Sequence, residues 1–347
     1  LEREKVHALR MHKGDYTVRM ILSGEAIADL QWWISTVAIA SKPVLTSQPD
    51  IVIQSDASQS GWGACCDHKH AGGPWGQAEA QAHINVLETT AAFLALQSFC
   101  STTGNKHVKL ELDNTTAVAY VNAMGGNRSS GCNAVVRQMW LWCIRKNVFL
   151  TATPIPAVTN VEANRLLRKF NDGTEWPLND EVFDRICTQL FQPEVDLFAS
   201  RLNKKLQNYV SWQPDPKAVA VDAFTLNWAI QRFYAFPPFS LLTKIVQKVR
   251  EEAAEGILIV PWWPTQPWYP VVMQMLVDQP RILPRMQRLL SIYITIWTRC
   301  IHCTQNSDYW HVTYLAVTPK SRCFKASFQD HYYVLAKWNN PAIPNIC

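Results

Sequence analysis

Three acidic residues stand where their neighbours would hold them rigidly. Asp56 closes the β-rich run Ile51-Val52-Ile53-Gln54-Ser55, and Ala57-Ser58, a small-residue turn at Gln59-Ser60-Gly61 and a second run, Trp62-Gly63-Ala64-Cys65-Cys66, follow it. Two such runs around a glycine-containing turn predict a hairpin, with Asp56 on a strand. Glu88 lies among Ile84, Leu87, Ala91, Leu94 and Ala95, which recur at helical spacing and put the acid beside a buried stripe. In Val108-Lys109-Leu110-Glu111-Leu112-Asp113 the apolar residues alternate, so they share one face of a strand ending at Asp113. Each acid alone has an ordinary reading, as an exposed aspartate, a capping glutamate or a strand end. As a set, two strands and a helix each offer one carboxylate. Gathered in one place, such groups cannot all ionise without a counter-ion. Mg²⁺ or Mn²⁺ would provide one, and a pair of such ions can clamp the attacking and leaving oxygens of a phosphodiester displacement.

The stretches Ser55-Asp56-Ala57-Ser58 with Gly61-Trp62-Gly63-Ala64, Ile84-Asn85-Val86-Leu87-Glu88, and Leu112-Asp113-Asn114-Thr115-Thr116-Ala117-Val118 resemble the type 1 ribonuclease H domain of retroelement polyproteins. Their closest resemblance is to tyrosine-recombinase retrotransposons of the DIRS type. The resemblance implies an α/β fold with a ribonuclease H-like five-stranded mixed sheet flanked by helices. It also implies metal ligation by Asp56, Glu88 and Asp113, and metal-dependent cutting of the RNA strand of an RNA/DNA hybrid. Retroviral-type integrases share the architecture, but their glutamate follows the second aspartate, whereas Glu88 precedes Asp113. A further motif of the family reads His-Ile-Pro-Gly, then Asn-Val and an Ala-Asp pair opening the last helix. This chain has Pro154-Ile155-Pro156-Ala157 and then Asn160-Val161-Glu162-Ala163-Asn164. Pro154 stands where the histidine would be, and the fourth catalytic position falls on Asn164. Leu1 is not a start methionine, and the resemblance implies a reverse transcriptase upstream in the same polyprotein, with residues 1–50 as the connection.

At 347 residues, 48% of them apolar, the chain is long enough for about two domains with sizeable cores. A net charge of +5 suits a nucleic-acid partner without demonstrating one, because no long Lys/Arg block occurs. Ten irregularly placed cysteines resemble those of an intracellular, reduced protein, in cytoplasm or nucleus, more than a disulfide framework. Cys300-Ile301-His302-Cys303 is the one close pair resembling a metal clip, and it lacks a partner pair at zinc spacing. No apolar run reaches membrane-spanning length, so no membrane partner is expected.

Along the chain, Ser23 is a candidate helix cap, and Ile27, Leu30, Ile34 and Val37 would form one apolar helical face, with Trp32 and Trp33 beside it read as packing rather than binding bases. Residues 51–170 form the expected nuclease-like unit. Ala71-Gly72-Gly73-Pro74-Trp75 reads as a loop leading to a short third strand, Thr115 to Ala123 and Asn133 to Lys146 as helices, and Val148 to Ala152 as the fifth strand. His83 could cap the Glu88 helix, touch substrate or simply pack. Asn85 and Asn114 flank two of the acids and are candidates either to read a 2′-hydroxyl or to orient the carboxylates. Arg128, in the loop from Gly125 to Ser129, is a candidate phosphate contact or a plainly solvated arginine.

Residues 176–284 read as a second α/β domain. Tyr234-Ala235-Phe236-Pro237-Pro238-Phe239 precedes a helical stretch, Leu241 to Glu252, and the continuous apolar run Ile257-Leu258-Ile259-Val260-Pro261 has the buried-strand pattern. With Pro193-Glu194-Val195-Asp196-Leu197-Phe198, this region resembles the one following ribonuclease H in the same retroelements and, more distantly, phage-type adenine DNA methyltransferases of Rossmann-like fold. That resemblance implies S-adenosylmethionine as cofactor, with Asp196 and the loop Phe236 to Phe239 in the site. Phe236, however, stands where those enzymes carry a polar residue that accepts from the target amine, and Phe239 keeps only a stacking face. Residues 285–347 show no clear element pattern. Three readings follow: a metal-dependent hybrid nuclease, a nucleic-acid-binding remnant, and a methyltransferase.

Overall fold

The computed structural model describes residues 1–41, 48–158, 160–166, 177–277, 279–283 and 312–317, without the side chains of Val161, Asn164 and 312–317. The chain starts with two helices, α1 (Glu2–Met11) and α2 (Gly24–Thr36). Ser23 caps α2 as its position predicts, its hydroxyl accepting from the Ala26 N–H. The apolar face of α2 departs from expectation, because Ile34 and Val37 are 79% and 52% exposed. Trp32 and Trp33 meet each other edge to face at 5.6 Å and are also exposed. The reason is the helix's thin attachment: Ala26 is its one buried residue, Asp29 pairs with Arg137 at 3.1 Å, and an open cleft of about 570 Å³ lies alongside.

Next comes the first sheet: β1 (Ile51–Ala57), β2 (Gly61–Cys66), β3 (Lys69–Pro74), helix α3 (Ile84–Phe99), β4 (His107–Leu112), helices α4 (Thr115–Asn122) and α5 (Ser130–Lys146), β5 (Phe149–Pro154) and helix α6 (Val161–Leu166). Its strand order is β3-β2-β1-β4-β5. β1, β2 and β3 are antiparallel neighbours, and β1, β4 and β5 run parallel. The alternation read at Val108, Leu110 and Leu112 puts all three in the core. They meet the α3 stripe of Leu87, Ala91, Leu94 and Ala95 and the α5 residues Val136, Met139 and Cys143.

Ala71 to Pro74 form strand rather than loop. The turn comes earlier, at Asp67, whose φ of 52° reverses the chain between β2 and β3. Gly72 suits this strand because β3 lies hard against β2 there. A Cβ added at Gly72 would stand 2.7 Å from the Trp62 carbonyl oxygen.

Then come α7 (Asp180–Gln189), β6 (Val195–Asp196), β7 (Val210–Ser211), β8 (Ala220–Val221), β9 (Phe233–Ala235), α8 (Leu242–Glu251), β10 (Gly256–Pro261), α9 (Trp268–Gln274), β11 (Arg281–Ile282) and β12 (Val312–Val317), and five of these strands form a second sheet. The order is β11-β12-β10-β9-β6, with β7 and β8 as a separate parallel pair. Every residue of β10 is buried, as its apolar run predicts. β12 corrects the patternless reading of residues 285–347, since Val312–Val317 pairs antiparallel with the whole of β10. Val-Thr-Tyr-Leu-Ala-Val is rich in strand-forming residues, and its irregular surroundings hid it. Cys300, His302 and Cys303 lie outside the described residues. Six cysteines, Cys65, Cys66, Cys100, Cys132, Cys143 and Cys187, are free thiols. No helix among the described residues is long and apolar enough to cross a membrane.

Candidate metal centre

The parallel register of β1 and β4 builds the site. Ser55 lies opposite Leu112, so the next residue on each strand, Asp56 and Asp113, is delivered to the same end of the sheet. α3 crosses this end with Glu88 on its inner side. One carboxylate oxygen from each acid lies within 4.8 Å of the other two. Asp56 and Glu88 are buried and Asp113 is half-buried.

Burial, then the neighbouring Asp113 charge, pushes Asp56 up to about 6, against a pull from the Ala57 N–H at 2.8 Å. Burial, then Asp56 and Asp113, pushes Glu88 up to about 9, and the same Ala57 amide works against it. Burial also raises Asp113, opposed by its own N–H and that of Asn114. Like charges in a partly dry site account for all three directions. The donor set is hard and oxygen-only, which fits Mg²⁺ or Mn²⁺.

Around the acids, His83 caps α3, its Nδ1 accepting from the Asn85 N–H at 3.2 Å. Asn114 caps α4 through its Oδ1 and donates from Nδ2 to Asn85 Oδ1 at 3.0 Å. The two amides flanking the acids are thus bonded to each other, tying the Glu88 helix to the strand end that carries Asp113. Arg128 is exposed in its loop. Asn164 lies in α6, which packs on β1 and β2, and its side chain is outside the described residues.

Two groups near the acids were not singled out from the sequence. One is the Ala57 amide, a backbone group that no residue type announces. The other is Asn160, fully buried, whose Nδ2 donates to the Ser55 carbonyl at 3.1 Å, one residue before Asp56. Asn160 stands just before α6, and its match to the Asn of the family motif's Asn-Val pair was the signal for it.

Asp196 lies in β6 of the second sheet, and Phe236, Pro237, Pro238 and Phe239 follow the end of β9. Asp196 ends β6, is buried, and accepts from the Lys205 N–H at 2.9 Å; burial raises its pKa to about 7. Phe236 packs on the core around Tyr234 and Ile257, and the Phe239 ring meets Trp263 edge to face at 5.4 Å.

The strand order and register, with helices on the sheet, define the first unit as an α/β fold built on a five-stranded mixed sheet. Solved structures similar to it include ribonuclease H1 from the halophilic archaeon Halobacterium salinarum, 16% identical, covering 33% of this chain and 92% of that one with a TM-score of 0.28. Another is the N-terminal ribonuclease H domain of a Mycobacterium tuberculosis protein, 17% identical, over 33% of this chain and 94% of that one, TM-score 0.29. A third is LC11-RNase H1 in complex with an RNA/DNA hybrid, 16% identical, over 35% and 97%, TM-score 0.31. No protein-family model matches the chain, and no curated protein does.

Proposed function

We propose that the chain is a divalent-metal-dependent ribonuclease H that hydrolyses the RNA strand of RNA/DNA hybrids. The observation that carries this reading is the meeting of Asp56, Glu88 and Asp113, from two parallel strand ends and a crossing helix, within 4.8 Å. Asp56, Glu88 and Asp113 would hold the cation. When bound, Mg²⁺ or Mn²⁺ neutralises the cluster, activates water and stabilises the leaving oxygen. The chain's own part is orientation. The Ala57 N–H restrains two of the carboxylates, and the Asn85–Asn114 amide pair fixes the spacing between α3 and α4. The resemblance of the acid-bearing motifs supports the hybrid as substrate, and a retroelement polyprotein with an upstream reverse transcriptase as context. Pro154 and Asn164 favour a second reading, in which hybrid is bound and cut poorly or not at all.

Cleavage of a labelled hybrid by the purified chain tests the proposal. Cutting should require Mg²⁺ or Mn²⁺, and Asp56→Asn or Asp113→Asn should lower it by at least about a hundredfold, on the scale of losing electrostatic stabilisation at a reacting centre. Variants that cut as well as the parent, or a rate indifferent to chelator, would sink it.

A further inference from the structure

We infer that Arg201, on the loop leaving β6, is a positioning residue for α3, and that through it the second sheet braces the first. The contact stands on geometry alone; its consequence for the acid cluster rests on the metal-dependent reading of Glu88.

The loop that carries Arg201 is itself held rigidly. Asn203 Oδ1 accepts from the Ser200 N–H at 2.6 Å and from its hydroxyl at 3.1 Å. The Arg201 N–H donates to Asp215 at 3.2 Å, and the Lys205 N–H to the buried Asp196 at 2.9 Å. From this base the guanidinium forks onto Glu79, Nη1 to Oε1 at 2.8 Å and Nη2 to Oε2 at 3.0 Å, with Nη2 also 3.4 Å from the Pro74 carbonyl. The two side chains are only 20% and 32% exposed. A bidentate fork in a half-dry setting holds its geometry better than an ordinary surface ion pair. Next to it Leu202 lies over Gly76, where an added Cβ would meet its Cδ2 at 3.5 Å.

Glu79 sits in the connection between β3 and α3, and its Oε2 also accepts the Gly76 N–H at 2.8 Å. That connection is pinned at its start, where Trp75 Nε1–H donates to the Ser58 carbonyl at 2.7 Å, two residues beyond Asp56. Its far end is His83. The Val86 and Leu87 N–H groups donate to the His83 carbonyl, and the Asn85 N–H to its ring. Placement of the first turn of α3, and of Glu88 just after it, therefore depends on where the connection lies. Arg201 is the side chain of the second sheet that fixes it.

Amide hydrogen exchange on the full metal-free chain tests the brace without reference to catalysis. In Arg201→Ala, exchange from Gly76 to Ala82 and at Asn85, Val86 and Leu87 should quicken about fivefold, the scale of one half-buried bidentate pair. α8 should stay protected, which reports that the second sheet remains folded. The Arg201→Ala/Glu79→Gln double variant should add little to Arg201→Ala, because both remove one interaction. Arg201→Lys, with the charge but not the fork, should fall between. Unchanged exchange in Arg201→Ala overturns the brace, and so does full additivity in the double variant. Mn²⁺ affinity, followed by electron paramagnetic resonance, reads the consequence for Glu88. It should fall in Arg201→Ala and partly recover in Arg201→Lys. Faster exchange with unaltered Mn²⁺ affinity overturns the positioning role. A parent chain that binds no Mn²⁺ overturns the metal reading instead, and the exchange result still decides the brace.

Discussion

The acid cluster carries a cost that makes it testable residue by residue. In an unfolded chain carboxylates titrate near about 4. In the folded, metal-free chain Asp56 is raised to about 6 and Glu88 to about 9. Between the unfolded and folded values the folded state binds more protons, so metal-free stability falls as pH rises through that window. With chelator present, the melting temperature should drop between about pH 5 and about pH 8, and Mn²⁺ should raise it more at the higher pH. Glu88→Gln should flatten the metal-free profile and, on the proposed function, abolish hybrid cleavage. A profile already flat in the parent would show that the three carboxyls do not share one site. Asn164 calls for the complementary substitution. An amide oxygen brings no charge, so Asn164→Asp should lower the metal concentration for half-maximal cleavage and Asn164→Ala should raise it. If Asn164 only supports its helix, the midpoint in Asn164→Asp will not move.

At the scale of elements, the sequence was most legible where one periodicity acted alone. Alternation at Val108, Leu110 and Leu112 and the helical stripe through Leu87, Ala91 and Ala95 located two of the acids, because one buried face dictated each pattern. Legibility failed where tertiary contact overrides local preference. Gly72 and Gly73 resemble loop residues, yet both lie in β3, and at Gly72 the neighbouring β2 leaves no room for a side chain. Ile27 and Ile34 of α2, and Val37 just after it, resemble a core face but are exposed. The Arg201–Glu79 fork joins residues far apart in sequence, and no local pattern marks it. The β3 case can be checked by substitution. A Cβ at Gly72 would stand 2.7 Å from backbone, whereas one at Gly73 meets nothing nearer than Trp62 Nε1 at 3.9 Å. Gly72→Ala should therefore destabilise the chain by about 1–3 kcal/mol, the usual cost of overpacking, with Gly73→Ala nearly neutral in the same denaturant titration. Equal effects would mean that the approach of β3 to β2 is looser than described.

Across the whole molecule, the two sheets have separate interiors among the described residues. The core that includes Ile53, Leu87, Leu110 and Met139 shares no residue with those built around Phe233, Leu258, Ile245 and Tyr234. The link from the Arg201 loop is a polar fork and a Leu202 contact among the described residues. A ligand stabilises only the unit that binds it, by an amount set by its concentration relative to its dissociation constant. Calorimetry of the metal-free chain should therefore resolve two transitions. Mn²⁺ at about a hundred times its dissociation constant should stabilise one of them by about 2.7 kcal/mol. The other should move only as far as the Arg201 fork transmits, about 1 kcal/mol or less. Amide protection lost in α3 with one transition and in α8 with the other identifies which of the two is metal-sensitive. A single transition that shifts whole with Mn²⁺ would mean that the two cores unfold as one cooperative unit, with the second sheet energetically part of the acid site.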